Sequence, residues 1–152
     1  MSIYFESIRS RMPHFFQGVD VLEYSPHDTS KKFMSLFKDS RYHVLDPRNN
    51  DLSGVKDSNF NVVISVDYLQ YTPNYLDILT RMHRVSSKFV MFSCAAAGKR
   101  VDNPPVYYKN LVMSDFYNQL DLDSMFETYR LYVDYENSEL CFWGVNKLKS
   151  EV

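Results

Sequence analysis

Apolar and polar positions change their period several times along this chain, and each change predicts an element. Near the start, Ile3, Phe5 and Ile8 recur broadly on one face, Ser2 stands where a cap belongs and Pro13 stops the run, which predicts a short helix over 3–11. Gly18 then opens "VDVLEY" at 19–24, which alternates into a buried strand. In "TSKKFMSLFK", residues 29–38, Phe33, Met34 and Phe37 share one side of a predicted helix. "YHVLDP" at 42–47 is a second short strand ended by Pro47, and "FNVVISVDYL" at 60–69 is a third. The β-branched, nearly all-apolar middle of that third strand implies burial on both faces. Pro73 opens a helix over 73–85, in which Tyr75, Leu76, Leu79, Met82 and Val85 fall at helical spacing. "KFVMFSCAAAG" at 88–98 reads as a further buried strand closed by Gly98, and "MSDFYNQLD" at 113–121 as a short helix. Two aromatic-rich strands, "YRLYVDYE" and "ELCFWGVNK", flank Asn137 and Ser138 and read as a hairpin.

Strands alternating with helices predict an α/β fold: a mostly parallel sheet, right-handed crossovers and helices on both faces. The 152 residues suit one domain with one sizeable core. At 45% hydrophobic and 16% aromatic, the composition excludes a disordered chain. A net charge of -2 leaves no basic excess for phosphate backbones, so no nucleic-acid partner is expected. There is no apolar run of the roughly 18 residues a membrane span needs, and charges interrupt the first residues where a signal peptide needs an apolar stretch. No membrane partner and a cytoplasmic location are therefore expected. Cys94 and Cys141 lie in apolar strands and are expected to be buried free thiols, while His14, His43 and His83 show no metal-ligand spacing.

In such sheets, ligands gather at the carboxyl ends of the strands where the strand order reverses. Glu23, Asp46, Ser65 and Asp67 all fall at predicted strand ends. An acid after the second strand can accept both hydroxyls of a ribose diol on its two oxygens, and Asp46 holds that position, with the alternative that it serves the turn before Pro47. The stretch "VLEYSPHDTSKKF" at 21–33 has the outline of strand, nucleotide-binding loop and helix, yet it contains no glycine. Ser25 and Asp28 are candidate turn or cap residues there, with Asp28 or Thr29 receiving the free N–H groups of the helix start. His27 is the loop's one histidine and a candidate base or cofactor contact.

The ordered set "FFQGVDVLEY", "VLDP", "FNVVIS", "CAAAGKR", "YYKNLVMSDF" and "ELCFWGV", spread from Phe15 to Lys147, resembles the class I methyltransferases that use S-adenosylmethionine. The resemblance implies a Rossmann-like, seven-stranded sheet ending in an antiparallel hairpin. It further implies that Glu23 and the loop Tyr24 to Asp28, with Ser25 and His27 in it, face the methionine part of the cofactor. Asp46, with Pro47 beside it, is implied to hold the ribose, and Ser65, Val66, Asp67 and Tyr68 to flank the sulfonium. The implied activity is methyl transfer to a small molecule or glycan, with a homo-oligomer as a further partner. The chain departs from the pattern in its glycine-free loop, in Asn61 where Asp is usual, in Tyr71 where His often stands, and in a short segment between Gly98 and Tyr107. The glycine-free loop and the missing His keep a second reading in play, a methyltransferase-like binding or assembly module without catalysis. A nicotinamide-dependent oxidoreductase ranks third, because G-x-G-x-x-G is missing.

Overall fold

The computed structural model describes residues 3–26, 31–95, 111, 113–134 and 139–149. Helix α1 spans Ile3–Arg11 and is followed by a 3-10 turn, Pro13–Phe15. Strands β1 (Asp20–Tyr24), β2 (Arg41–Leu45) and β3 (Phe60–Val66) come next, then α2 (Tyr75–Val85) and β4 (Ser86–Ala95). Helices α3 (Met113–Gln119) and α4 (Leu122–Met125) precede β5 (Phe126–Asp134) and β6 (Glu139–Asn146). Among the described residues, six strands form one sheet in the order β2-β1-β3-β4-β6-β5. β1 pairs in parallel with both β2 and β3, and β3 with β4, whereas β6 runs antiparallel to β4 and β5. The antiparallel β5–β6 pair agrees with the hairpin expected from its sequence; the turn residues Asn137 and Ser138 lie outside the described residues, as do 96–98 at the end of the fourth predicted strand.

The sheet falls one strand short of the expected seven among the described residues. Residues 46–59, which carry the chain from β2 at the sheet edge to β3 on the far side of β1, contain turns and bends but no helix or strand. A second expectation also fails. The helix predicted over 29–38 is, where described, a turn followed by a 3-10 segment, Met34–Leu36. The period explains the difference: a 3-10 helix places residues i and i+3 on one side, so Phe33 and Leu36 are buried while Met34 is 46% exposed. A 3.6-residue period instead groups Phe33 with Met34 and Phe37.

Alternation along the strands sorts their side chains to two faces. Leu22, Val63, Val90 and Phe92 pack with Ile78, Leu79 and Met82 of α2, Phe116 of α3 and Leu122 of α4. Val21, Val62, Ile64, Phe89 and Met91 pack with Phe5 and Ile8 of α1 and with Phe15, Phe16 and Phe33. β3 is buried from Val62 to Val66, as its unbroken apolar run implied. Entry into β1 is set by Gly18 at φ +64, a left-handed conformation that lets its N–H donate to the Lys38 carbonyl at 2.9 Å. Cys94 and Cys141 are buried free thiols, as expected from their strands.

Candidate functional site

The chain leaves β1 for β2 on one side and later places β3 on the other, so the strand order reverses at β1. Parallel pairing then fixes which residues stand level. Tyr24 is opposite Leu45 and Glu23 is opposite Ile64. Ser25, Asp46 and the Ser65–Val66 pair thereby reach the same carboxyl edge, followed by Asp67 and Tyr68. Of the residues singled out in the sequence, Glu23, Tyr24, Ser25, Asp46, Pro47, Ser65, Val66, Asp67 and Tyr68 all lie at this edge; His27, Asp28 and Thr29 lie outside the described residues.

Glu23 is fully buried. Its Oε1 accepts the Lys31 N–H at 2.8 Å and the Tyr42 hydroxyl at 2.5 Å. Lys31 sits at φ +69, a left-handed conformation that no helix start adopts. Burial, together with the bond to Glu23 and its charge, drives the Tyr42 phenol well above its ordinary pKa and keeps it a donor. The other oxygen, Glu23 Oε2, is buried with no hydrogen-bond partner among the described residues.

The two serines tie β1 to β3 beyond the last strand pair. Ser65 Oγ donates to the Tyr24 carbonyl at 2.8 Å, and Ser25 Oγ accepts the Val66 N–H at 2.9 Å. Both hydroxyls are buried, so each answers a backbone group that water cannot reach. The Tyr24 hydroxyl donates to the Asn50 carbonyl, and its ring meets Tyr68 edge-on at 6.1 Å between centroids. Burial, with the neighbouring phenol and acids adding to it, pushes Tyr24 up to about 12, and burial raises Tyr68 as well. Both phenols are neutral at physiological pH.

Asp46 is a buried acid beside an arginine that the sequence reading passed over. Arg48 donates its backbone N–H to Asp46 Oδ1 at 2.9 Å and its guanidinium to both oxygens, with Nη2 to Oδ2 at 2.7 Å. Asp67 sits at φ +52, donates its N–H to the Ser93 carbonyl at 2.8 Å and accepts Gln70 Nε2 at 2.6 Å. Gln70 is fully buried, and its Oε1 has no partner among the described residues. Tyr42, Arg48 and Gln70 are thus the site residues that sequence reasoning missed. Gln70 left a readable signal, an amide in the otherwise apolar and aromatic run "YLQY". Asn61, where the resembled pattern has Asp, accepts the Asp20 N–H at 2.9 Å and reaches Ser87 at 3.3 Å, so it supports the start of β1 and not the site.

Continuing from this edge, Pro47, Arg48, Asn49, Asn50 and Asp51 line an open cleft of about 390 Å³. Among the described residues no group of three or more His, Cys, Asp or Glu side chains could hold a metal ion, and no helix is long and apolar enough to cross a membrane.

No protein-family model matches the chain, and comparison with curated proteins returns no match. Solved structures do match. The 1,6-didemethyltoxoflavin-N1-methyltransferase of Burkholderia thailandensis, with 1,6-didemethyltoxoflavin and S-adenosylhomocysteine bound, is 12% identical, with a TM-score of 0.61 over 89% of this chain and 74% of its own. A SAM-dependent methyltransferase of Aquifex aeolicus is 12% identical, with a TM-score of 0.55 over 91% of this chain and 89% of its own. Magnesium protoporphyrin IX methyltransferase of Synechocystis, with S-adenosylhomocysteine bound, is 8% identical, with a TM-score of 0.57 over 95% of this chain and 82% of its own. At these identities the likeness is one of fold, and the fold is that of the class I methyltransferases.

Proposed function

We propose that this chain binds S-adenosylmethionine at the tips of β1, β2 and β3 and transfers its methyl group to a small molecule or glycan. The observation that supports this most is the convergence of Glu23, Ser25, Asp46, Ser65 and Asp67 on one edge at the point of strand reversal, in a methyltransferase fold. The residues fit such a ligand in two respects. Glu23 Oε2 is a buried acceptor with no donor among the described residues, and Asp46, paired with Arg48, sets a carboxylate at the end of β2.

On this reading Glu23, Tyr24, Ser25 and His27 hold the methionine end, Asp46 and Pro47 hold the ribose, and Ser65, Val66, Asp67 and Tyr68 surround the sulfonium. Bound there, S-adenosylmethionine supplies a methyl group already activated by its sulfonium, so the protein's task is chiefly alignment of the acceptor. Tyr24 and Tyr68 offer neutral ring faces, which suit a neighbouring cation. Ser25 and Ser65 hold the β1 and β3 tips at a fixed spacing, and the Gln70 amide fixes the Asp67 carboxylate. Each of these groups orients; none is assigned as a base.

A specific observation favours a second reading, the binding or assembly module without catalysis. Several of the site's groups are already engaged within the chain, with both serine hydroxyls bonded to backbone and Asp46 paired with Arg48. Calorimetry tests the cofactor site that the first reading requires. Binding of S-adenosylmethionine and of its demethylated product, lost in Asp46→Ala and weakened in Asp46→Asn while the fold is retained, is the expected outcome. Saturation at a hundred times the dissociation constant adds about 2.7 kcal/mol of stability, seen as a raised Tm. No binding of either compound would leave the module reading.

A further inference from the structure

The acids near the strand tips differ in what answers their charge. Asp46 is paired with Arg48, and Asp51 beyond it with Arg81. Glu23 receives the Lys31 N–H and the Tyr42 hydroxyl. Asp67 has no ion pair among the described residues; the side chain that meets it there is the neutral amide of Gln70, whose Nε2 donates to Oδ1 at 2.6 Å. Asp67 is only half-buried, so a carboxylate without a counter-ion stands within reach of a ligand at this edge. We infer that Asp67 reads the charge on the cofactor's sulfur and that Gln70 is its positioning residue, so that the pair favours the cationic sulfonium over the neutral thioether of the demethylated product. The inference rests on the cofactor reading above and names what distinguishes cofactor from product within it.

The surroundings hold this carboxylate in place. Val66, just before it, donates its N–H to Ser25 on the tip of β1, and the Asp67 N–H donates to the Ser93 carbonyl of β4 at 2.8 Å. Its φ of +52 is left-handed, a conformation that Asp and Asn tolerate better than other side chains. The 3-10 turn Leu69–Tyr71 follows and sets Gln70 beside Asp67, three residues on. A carboxylate only accepts, so Nε2 must face it and Oε1 is the end left buried without a partner among the described residues. An unanswered buried carbonyl costs stability, and methionine or leucine would fill the space without that cost. Glutamate there would set a second negative charge against the first. Glutamine is thus a poor choice for packing and a good one for orienting an acid while leaving its charge unspent. Cofactor and product share their adenosine and amino-acid parts and differ by one methyl group and one positive charge, so a charge at Asp67 acts on one and not the other.

The test measures the dissociation constants of S-adenosylmethionine and S-adenosylhomocysteine by calorimetry on the wild type, Asp67→Asn and Gln70→Met, with Tm recorded for each. Asp67→Asn keeps the shape and suits the left-handed backbone, and it is expected to shift the ratio of the two constants about two- to fivefold toward the demethylated compound, the range of a partly screened ion pair. Gln70→Met is expected to shift the ratio the same way by less, with Tm unchanged or raised because the unanswered Oε1 is gone. Should Gln70→Met fail to fold, Gln70→Leu takes its place. An unchanged ratio in Asp67→Asn, including a loss of affinity shared equally by both compounds, overturns the inference and leaves the cofactor reading standing. A ratio moved by Asp67→Asn and not by the Gln70 variant overturns the part given to Gln70. Absence of binding of both compounds by the wild type overturns this inference and the cofactor reading together.

Discussion

At Gly144 a single missing atom decides how the last strand packs. A Cβ there would lie 2.5 Å from Cδ1, 2.7 Å from Cε1 and 2.9 Å from Cγ of Phe126, a buried ring that also packs edge-on against Phe142 at 5.3 Å. Gly144→Ala must displace that ring or part β5 from β6, and about 1–3 kcal/mol of stability should be lost. Urea unfolding reads this as a lower midpoint with an unchanged slope. Residues of this kind mark the limit of what single positions reveal in a sequence. Glu23, Asp46, Ser65 and Asp67 were legible because each interrupts or ends an apolar run at a strand tip. Tyr42 was not, because its part depends on which oxygen it meets once β1 and β2 are in register; Arg48 pairs locally with Asp46, two residues before it, and an arginine after a turn carries no sign of that on its own.

Elements were legible where one period persisted for three turns or several alternations. Helix α2 ends at Val85 as its stripe predicted but begins at Tyr75, two residues after the expected start; Tyr75, Leu79, Met82 and Val85 of the stripe are buried, and Ile78 is buried where Leu76 is only half-buried. The 31–37 segment was not legible, since Phe33 and Phe37 fit a helix as well as Phe33 and Leu36 fit a 3-10 turn, and the left-handed Lys31 that decides the matter is dictated by Glu23 across the loop. Helix α2 also carries a pH-dependent contact. The His83 ring lies edge-on to Phe126 at 5.1 Å, and its Nε2 bonds the Met125 carbonyl at 3.0 Å, which makes Nε2 the protonated nitrogen of the neutral ring. Nearby, Lys149 closes the helix end by donating to the carbonyls of His83 at 2.8 Å and Arg84 at 3.1 Å. Burial lowers the His83 pKa, and the charge of Lys149 lowers it further, against a smaller opposing effect of the Met125 carbonyl. The unfolded chain therefore binds the proton more readily than the folded one. The stability contributed is present above the ordinary histidine value of about 6.5 and is lost as pH falls through the lower folded value. Tm should drop between pH 7 and pH 5, and His83→Gln should drop less over the same interval.

For the whole molecule, strand order predicts where stability resides and supplies a test of where the ligand sits. β3 has strands on both sides and is buried from Val62 to Val66, so its amides should exchange only on global unfolding. β2 and β5 end the sheet on opposite sides, and both expose residues along their length, so both should open locally and exchange faster. A ligand that binds only the closed form protects an amide when the opening that exposes it also destroys the site. Opening of β2 removes Asp46 from the edge it shares with Ser25 and Ser65; opening of β5, beyond β4 and β6, leaves that edge intact. With S-adenosylhomocysteine at a hundred times its dissociation constant, hydrogen exchange should show the opening free energy of β2 and β3 raised together by about 2.7 kcal/mol, with β5 unchanged. Protection confined to β3, or shared equally by β2 and β5, would place the ligand away from the tips of β1, β2 and β3.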